Sequence, residues 1–290
     1  MQGHGNPNHF GGLSDGSSLE ESQIVVLPVP FDKTTTYQQG ADLGPAAIIE
    51  ASRNLELYDI ETDSEVYRHG IYTAPAIEDQ NSTEMLRSLY EESLRFLRMG
   101  KFVVTLGGEH SISAAPIRAH AEFFGPLTVL QFDAHADLAD AYEGNPLSHA
   151  SVMARVNEIP DVKRIVAVGI RSMSAEEKKS LNSDTTFFAH DLHDNDKWMD
   201  QVVDRLTDLV YITFDLDAFD CSLMPSTGTP EPGGVFWHQA AKLLKKVAQK
   251  RQVVGFDIVE LAPLPDLKAP DFLSAKLLYK LLSYIFMRRA

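Results

Sequence analysis

Short apolar runs recur along this chain, and they lack the alternation of a half-solvated strand. IVVLPV (Ile24 to Val29), FVVTL (Phe102 to Leu106), LTVLQF (Leu127 to Phe132), RIVAVGI (Arg164 to Ile170), LVYITF (Leu209 to Phe214) and VVGFDIV (Val253 to Val259) are apolar at nearly every position. Strands of that kind belong to a sheet covered on both faces. Segments of helical period lie between them. Ser82 to Met99 is one, with Ser82 or Thr83 placed to cap its start and Gly100 just past its end. His238 to Lys250 and Phe272 to Met287 read as two more. Strands alternating with helices predict parallel β-α-β units, hence an α/β sandwich. Residues 1–22, rich in Gly, Asn and Ser, read as an arm or disordered tail in which His4 and His9 are solvated. With no internal repeat and no obvious linker, residues 23–290 read as one domain.

The polar exceptions cluster where the runs end. His110 follows FVVTL; Asp133, His135 and Asp137 follow LTVLQF; Asp215 and Asp217 close LVYITF; Glu260 follows VVGFDIV. Ligands of open α/β sheets bind outside the carboxyl ends of the strands. In extended backbone, residues i, i+2 and i+4 share a face. A lone D-x-D ordinarily caps a loop, and a lone strand-end histidine is ordinarily just hydrogen-bonded. D-x-H-x-D on one strand, with a histidine and D-x-D on two others, is a different matter. Uncompensated, the four aspartates would repel one another in a desolvated crevice. An oxygen-rich set with two imidazoles and no thiolate suits Mn²⁺ better than structural Zn²⁺. Bridging carboxylates let such a set serve two ions.

Composition narrows the partners. The 290 residues are 44% hydrophobic, enough for a sizeable core. A net charge of −15 and a pI near 5.0 argue against nucleic acid and anionic membranes. They suit a cationic substrate, although many soluble proteins are simply acidic. The single cysteine, Cys221, excludes an internal disulfide and a thiolate zinc cluster. No run is long and apolar enough to span a bilayer, and no charged segment precedes an apolar one at the N-terminus, so the expectation is a cytoplasmic protein.

GGEHS, DAHAD, FDLDAFD followed by MPSTGTPEPGG, and GFDIVELAP together resemble the ureohydrolase family of arginases and agmatinases. The resemblance runs from about Ile24 to the C-terminus and includes PFDKTTTYQQGADLGPAAI, similar to that family's N-terminal substrate-side loop and first helix. It implies a three-layer α/β/α fold, a dinuclear manganese site, release of urea from a guanidino group, and a homotrimer or homohexamer. Carried over by position, it implies that His110, Asp133, Asp137 and Asp215 hold one Mn²⁺. His135, Asp133, Asp215 and Asp217 hold the other, with Asp133 and Asp215 bridging. His149 falls on the proton shuttle and Glu260 on the guanidinium anchor. Cys221 departs from the proline usual in the family after FDxDxxD. The chemistry is consistent: a guanidinium is a poor electrophile, metals lower the pKa of a bridging water, and the amine needs a proton to leave.

Two other classes are weaker. A one-zinc deacylase uses paired histidines, and no His-His occurs here. A non-catalytic binding homologue or scaffold would have lost ligands, and all six positions are filled. For the substrate, Leu138 to His149 and Arg171 to Glu177 are expected to line the mouth. They carry Asp140, Glu143, Glu176 and Glu177 against Arg171, which disfavours the carboxylate of arginine. GIRS at Gly169 to Ser172 and STGTPEPGG resemble agmatinases, whereas arginases typically have aspartate at Ser172. The expectation is agmatine, giving putrescine and urea. The alternative is N1-aminopropylagmatine, giving spermidine and urea, with Glu143 meeting its extra amine.

Overall fold

The computed structural model describes residues 8–13, 18–79, 81–193 and 195–287. Strands β1 (Ile24–Val29), β2 (Ile71–Thr73), β3 (Phe102–Gly107), β4 (Leu127–Phe132), β5 (Val162–Ile170), β6 (Thr186–Phe188), β7 (Leu209–Asp215) and β8 (Gln252–Val259) pair in one sheet, all in parallel. Their spatial order is β2-β1-β3-β8-β7-β4-β5-β6. The last two strands in the sequence are thus inserted between β3 and β4. The four central strands, β3, β8, β7 and β4, are the ones whose ends carry the predicted metal ligands and Glu260.

Helices α1 (Gly44–Ser52), α6 (Lys197–Arg205), α7 (Trp237–Lys250) and α8 (Ala269–Phe286) cover one face, and α2 (Ser82–Arg98), α3 (Ala114–Phe124) and α4 (Val152–Asn157) cover the other. One further turn of helix, α5 (Glu177–Ser180), lies at the surface. Strand residues divide by parity, as a pleated sheet requires. Ile24 and Val26 join the core beneath α1 and α8, while Val25, Leu27 and Val29 join the one beneath α2. That two-sided burial explains the continuous apolar runs. The fold is the expected three-layer α/β/α sandwich.

Two expectations shift. The cap of α2 is Asn81, whose side-chain oxygen accepts from the N–H groups of Thr83 and Glu84; Ser82 is already helical. Residues 8–13 are packed rather than free. Phe10 is fully buried, its N–H donates to Thr73 Oγ1 (2.9 Å), and the N–H of Gly11 donates to Ser52 Oγ (2.8 Å). An aromatic ring that finds a core site outweighs the Gly-rich composition around it. His9 is half-buried against the Tyr72 ring, not solvated, and His4 lies outside the described residues.

Beneath the site, His120 of α3 is fully buried against β8. Its ring fits because Gly255 has no side chain; a Cβ there would lie 2.2 Å from His120 Nε2. Burial pulls the imidazole down to about 4, against a hydrogen bond between Nδ1 and the carbonyl of Pro116. A depressed folded-state pKa gives stability that is complete above about 6.5 and lost as pH falls towards 4. Metal-free protein is expected to lose on the order of 3 kcal/mol from this group over that interval. Denaturant melts at pH 7 and 4.5 should show the gap narrowing in His120→Phe; an unchanged gap would assign the acid sensitivity elsewhere.

Candidate metal centre

Each predicted ligand stands at a strand end because the chain turns sharply there. After β3, Gly107 and Gly108 carry the backbone tightly past the β1–α1 connection. A Cβ on Gly108 would sit 2.0 Å from the carbonyl oxygen of Phe31, so only glycine passes. His110 follows directly, in a short 3-10 turn. After β4 the backbone does not stay extended. The N–H of His135 donates to Asp133 Oδ1 (2.6 Å), and Asp137 adopts φ +53°. After β7, the N–H of Asp217 donates to Asp215 Oδ1 (2.8 Å) and closes another 3-10 turn. These are aspartates folding their own backbone back, a habit of short acidic side chains. The shared-face expectation for D-x-H-x-D is corrected accordingly: the three side chains reach one crevice but divide between two groups.

The first group centres on His110. Its Nδ1 lies 3.2 Å from Asp133 Oδ2, 3.0 Å from Asp137 Oδ2 and 3.3 Å from Asp215 Oδ2. The second comprises Asp133, His135 and Asp217, with His135 Nδ1 2.9 Å from Asp217 Oδ2 and 3.7 Å from Asp133 Oδ1. Asp133 belongs to both groups. All four aspartates are buried, and His135 is the most exposed of the six.

The donor chemistry fits a pair of cations. His110 Nε2 lies 2.9 Å from Thr213 Oγ1, whose hydroxyl donates to Asp257 Oδ1 (2.7 Å). The threonine proton is therefore committed, and Nε2–H must donate to it. That leaves the lone pair of neutral Nδ1 aimed at three carboxylates, buried and without a directed hydrogen bond. Only a proton or a metal ion resolves this. Protonation behaviour tells the same story. Burial and the Asp133 charge push Asp137 up to about 7, and burial, with Asp217 and Asp133, pushes Asp215 well up. Despite burial, the surrounding carboxylates raise His110 strongly and His135 to about 11. Asp217, paired with His135, falls to about 2 in spite of its burial. Two divalent ions would balance the charge of four carboxylates buried in one crevice.

Glu260 adopts φ +66° at the end of β8 and is 7% exposed. Its Oε1 accepts the N–H of His110 (2.6 Å), while Oε2 faces Gly228. Burial raises its pKa, and Glu109 adds to the effect. His149 begins a 3-10 turn, with Nδ1 3.0 Å from Thr34 Oγ1 and its ring beside Tyr142. Burial lowers its pKa. Both residues thus border the ligand crevice. Cys221 is half-buried in the following turn and belongs to neither ligand group.

The crevice opens into a cleft of about 850 Å³ whose wall includes Thr36, His135, Tyr142, His149, Ser172 and Glu176. The mouth differs from expectation in three respects. Glu143 is exposed at φ +49° in the turn joining Tyr142 to Asn145 and is absent from the wall; Tyr142 stands there instead. The acids are engaged: Asp140 with Arg155 (3.0 Å), Glu176 with Lys179 (2.6 Å), and Glu177 with the N–H groups of Leu138 and Ser174. Arg171 does not face the cleft as a free cation. Its guanidinium donates to the carbonyls of Gly169, Asp217, Phe219, Glu231 and Pro232, at 2.7–3.2 Å. It ties the loop carrying Asp217 to the end of β5.

Sequence reading missed Glu109, Thr34, Gln131, Thr213 and Asp257. A signal existed for two of them. Gln131 and Thr213 interrupt apolar strands two residues before Asp133 and Asp215, on the same face, and Gln131 Nε2 donates to Asp133 Oδ2 (2.9 Å).

Comparison with known proteins places the chain in a family. The sequence model described as the Arginase family matches residues 22–283. The chain belongs to the arginase family. Among its relatives, N(1)-aminopropylagmatine ureohydrolase from Synechocystis sp. is 37% identical over 92% of this chain and 90% of its own length. A protein of the same name from Thermus thermophilus is 39% identical over 90% and 89%. Agmatine ureohydrolase of Thermoplasma volcanium superposes with a TM-score of 0.86 at 30% identity, covering 97% of this chain and 95% of that one. This arginase-family chain is a hydrolase acting on a guanidino group. No helix among its described residues is long and apolar enough to cross a membrane.

The division into two ligand groups has a measurable consequence. Asp217→Asn and His135→Asn should each lose one bound metal per chain and most activity, because each serves one group while Asp133 serves both. Elemental analysis beside circular dichroism checks this; either variant with full metal content and full activity would refute the division.

Proposed function

We propose that the chain hydrolyses N1-aminopropylagmatine to spermidine and urea, with two Mn²⁺ per chain held by His110, Asp133, His135, Asp137, Asp215 and Asp217. The bound metals would supply Lewis acidity that makes water nucleophilic at neutral pH. Glu260 Oε2, the oxygen not taken by His110, orients the guanidinium. His149 takes a proton from the water at Nε2 and, as the imidazolium, gives it to the departing amine, its Nδ1–H staying on Thr34 throughout. Water and the guanidino substrate thereby give urea and a free amine.

The observation that carries the substrate choice is the state of the cations at the mouth. Arg171 is consumed by backbone carbonyls, and Lys179 on the cleft wall is paired with Glu176. Neither is free to receive the carboxylate of arginine, which favours a substrate that lacks one. The Synechocystis and Thermus relatives described above support the longer amine. Agmatine, giving putrescine, is the second reading, supported by the Thermoplasma volcanium structure. The same reading takes the protein as a cytoplasmic homotrimer or homohexamer, on its family membership.

Urea release with added Mn²⁺ tests it. The expected order of kcat/KM is aminopropylagmatine, then agmatine, then arginine. Preference for agmatine installs the second reading, and preference for arginine removes both. His149→Ala should lower kcat ~100-fold, the scale of a lost general acid, with metal content retained. Loss of metal instead would make His149 a ligand.

A further inference from the structure

Behind His149 lies a buried group that the reaction as described does not use. Glu109 is fully buried one residue before His110. Its Oε2 accepts the N–H groups of Lys33 and Thr34, each at 2.6 Å. Its Oε1 accepts the hydroxyl of Thr34 (2.8 Å) and that of Ser111. The Thr34 oxygen in turn meets His149 twice, at the backbone N–H (3.0 Å) and at ring Nδ1 (3.0 Å).

We propose that Thr34 and Glu109 are a positioning pair that holds His149 with its proton on Nδ1, leaving Nε2 as the ring nitrogen that exchanges protons with substrate. The argument is a count of hydrogens. A threonine hydroxyl has one proton and two lone pairs. A carboxylate meeting four donors has none to give, so the Thr34 proton goes to Glu109. Both remaining lone pairs then accept from His149, one from its backbone and one from Nδ1. Nδ1 must therefore carry hydrogen in the neutral ring, and Nε2 must be the lone-pair nitrogen. A freely solvated imidazole has no such restriction, and the hydrogen bond at one ring nitrogen decides the role of the other.

The pair also fixes where the ring stands. Glu109 is anchored through its own N–H to the carbonyl of Phe31 (2.8 Å), and its side chain gathers residues 33 and 34 of the same connection. Thr36, two residues on, is part of the cleft wall. One buried carboxylate thus joins the substrate-side loop, the turn that presents His110, and the imidazole. Thr34 and Glu109 do not touch the reacting atoms in this arrangement.

The proposal rests on His149 as proton donor, and its test separates the two ideas. Metal-free protein labelled with ¹⁵N-histidine is examined at a pH where His149 is neutral, the signal being assigned by its loss in His149→Asn. Wild type and Thr34→Ser should show a protonated Nδ1 and an unprotonated Nε2. Thr34→Val, which keeps the shape and loses the hydroxyl, should show mixed or reversed tautomers. With manganese restored, Thr34→Val should lose roughly tenfold or more in kcat with KM and metal content near wild type, and Thr34→Ser should recover most of it. Wild type with its proton on Nε2, or Thr34→Val with the wild-type tautomer and kcat, overturns the pair. A protonated Nδ1 in a protein that hydrolyses no guanidino substrate supports the pair and removes the functional reading instead.

Discussion

Four aspartates held in one dry crevice are the constraint on which the rest depends. Asp133, Asp137, Asp215 and Asp217 lie close enough that burial and mutual repulsion drive two of them towards protonation. Among the described residues no arginine or lysine pairs with them; their basic neighbours are the imidazoles of His110 and His135. A chain can fold around such a concentration of charge only if its framework is stable without it and cations then relieve it. The framework here is the sheet. Its four central strands are covered by helices on both sides, so the backbone that aims the carboxylates does not depend on them. Peripheral strands β2 and β6, of three residues each, contribute no ligand.

The topology explains why the charges meet. β3 and β4 are consecutive in the sequence but separated in the sheet by β8 and β7. Connections on either side of such a reversal leave in different directions and open a crevice at the strand ends. All six candidate ligands and Glu260 come from the four strand ends bordering it. Positive φ at Asp137 and Glu260 is part of the same economy: the chain bends at once rather than travelling further from the sheet. Such conformations cost of order 1–3 kcal/mol each and persist where surrounding structure enforces them.

Strand positions and the gathering of acids and histidines at their ends were legible in the sequence because each has a strong local signature. Continuous apolar runs gave the six longer strands nearly to the residue, and an unusual spacing of acids and histidines marked their ends. Elements without a signature were missed. β2 and β6 are too short for periodicity, α4 has six residues and α3 a weak period, while α6 carries a clear apolar face, Trp198, Met199, Val202 and Val203, that was passed over. Local turn chemistry misled as well. Aspartates that hydrogen-bond their own backbone do not continue a strand, so Asp133, His135 and Asp137 could not be assigned one common direction. At the mouth, composition was read as field. The sequence shows that Arg171 is present, but not that five backbone carbonyls occupy it, because that depends on long-range packing. Phe10 is the reverse case, a single aromatic side chain finding a core site from a segment whose composition suggested disorder.

What remained hidden is a device used twice. His110 meets Thr213, which is backed by Asp257; His149 meets Thr34, which is backed by Glu109. In each, a buried carboxylate commits the one hydroxyl proton, so the hydroxyl oxygen can only accept from the imidazole. The histidine then has a defined outward nitrogen. For His110 it is Nδ1, turned to the carboxylates; for His149 it is Nε2, on the side of the ring away from Thr34. Direct histidine–carboxylate pairing would also select a tautomer, but it would place another negative charge against the ring and raise its basicity. The intervening threonine passes on orientation and keeps that charge a residue away. In the proposed reaction the His149 imidazolium gives its Nε2 proton to an amine; with burial already lowering its affinity for protons, the arrangement would set geometry while leaving the ring able to give that proton up.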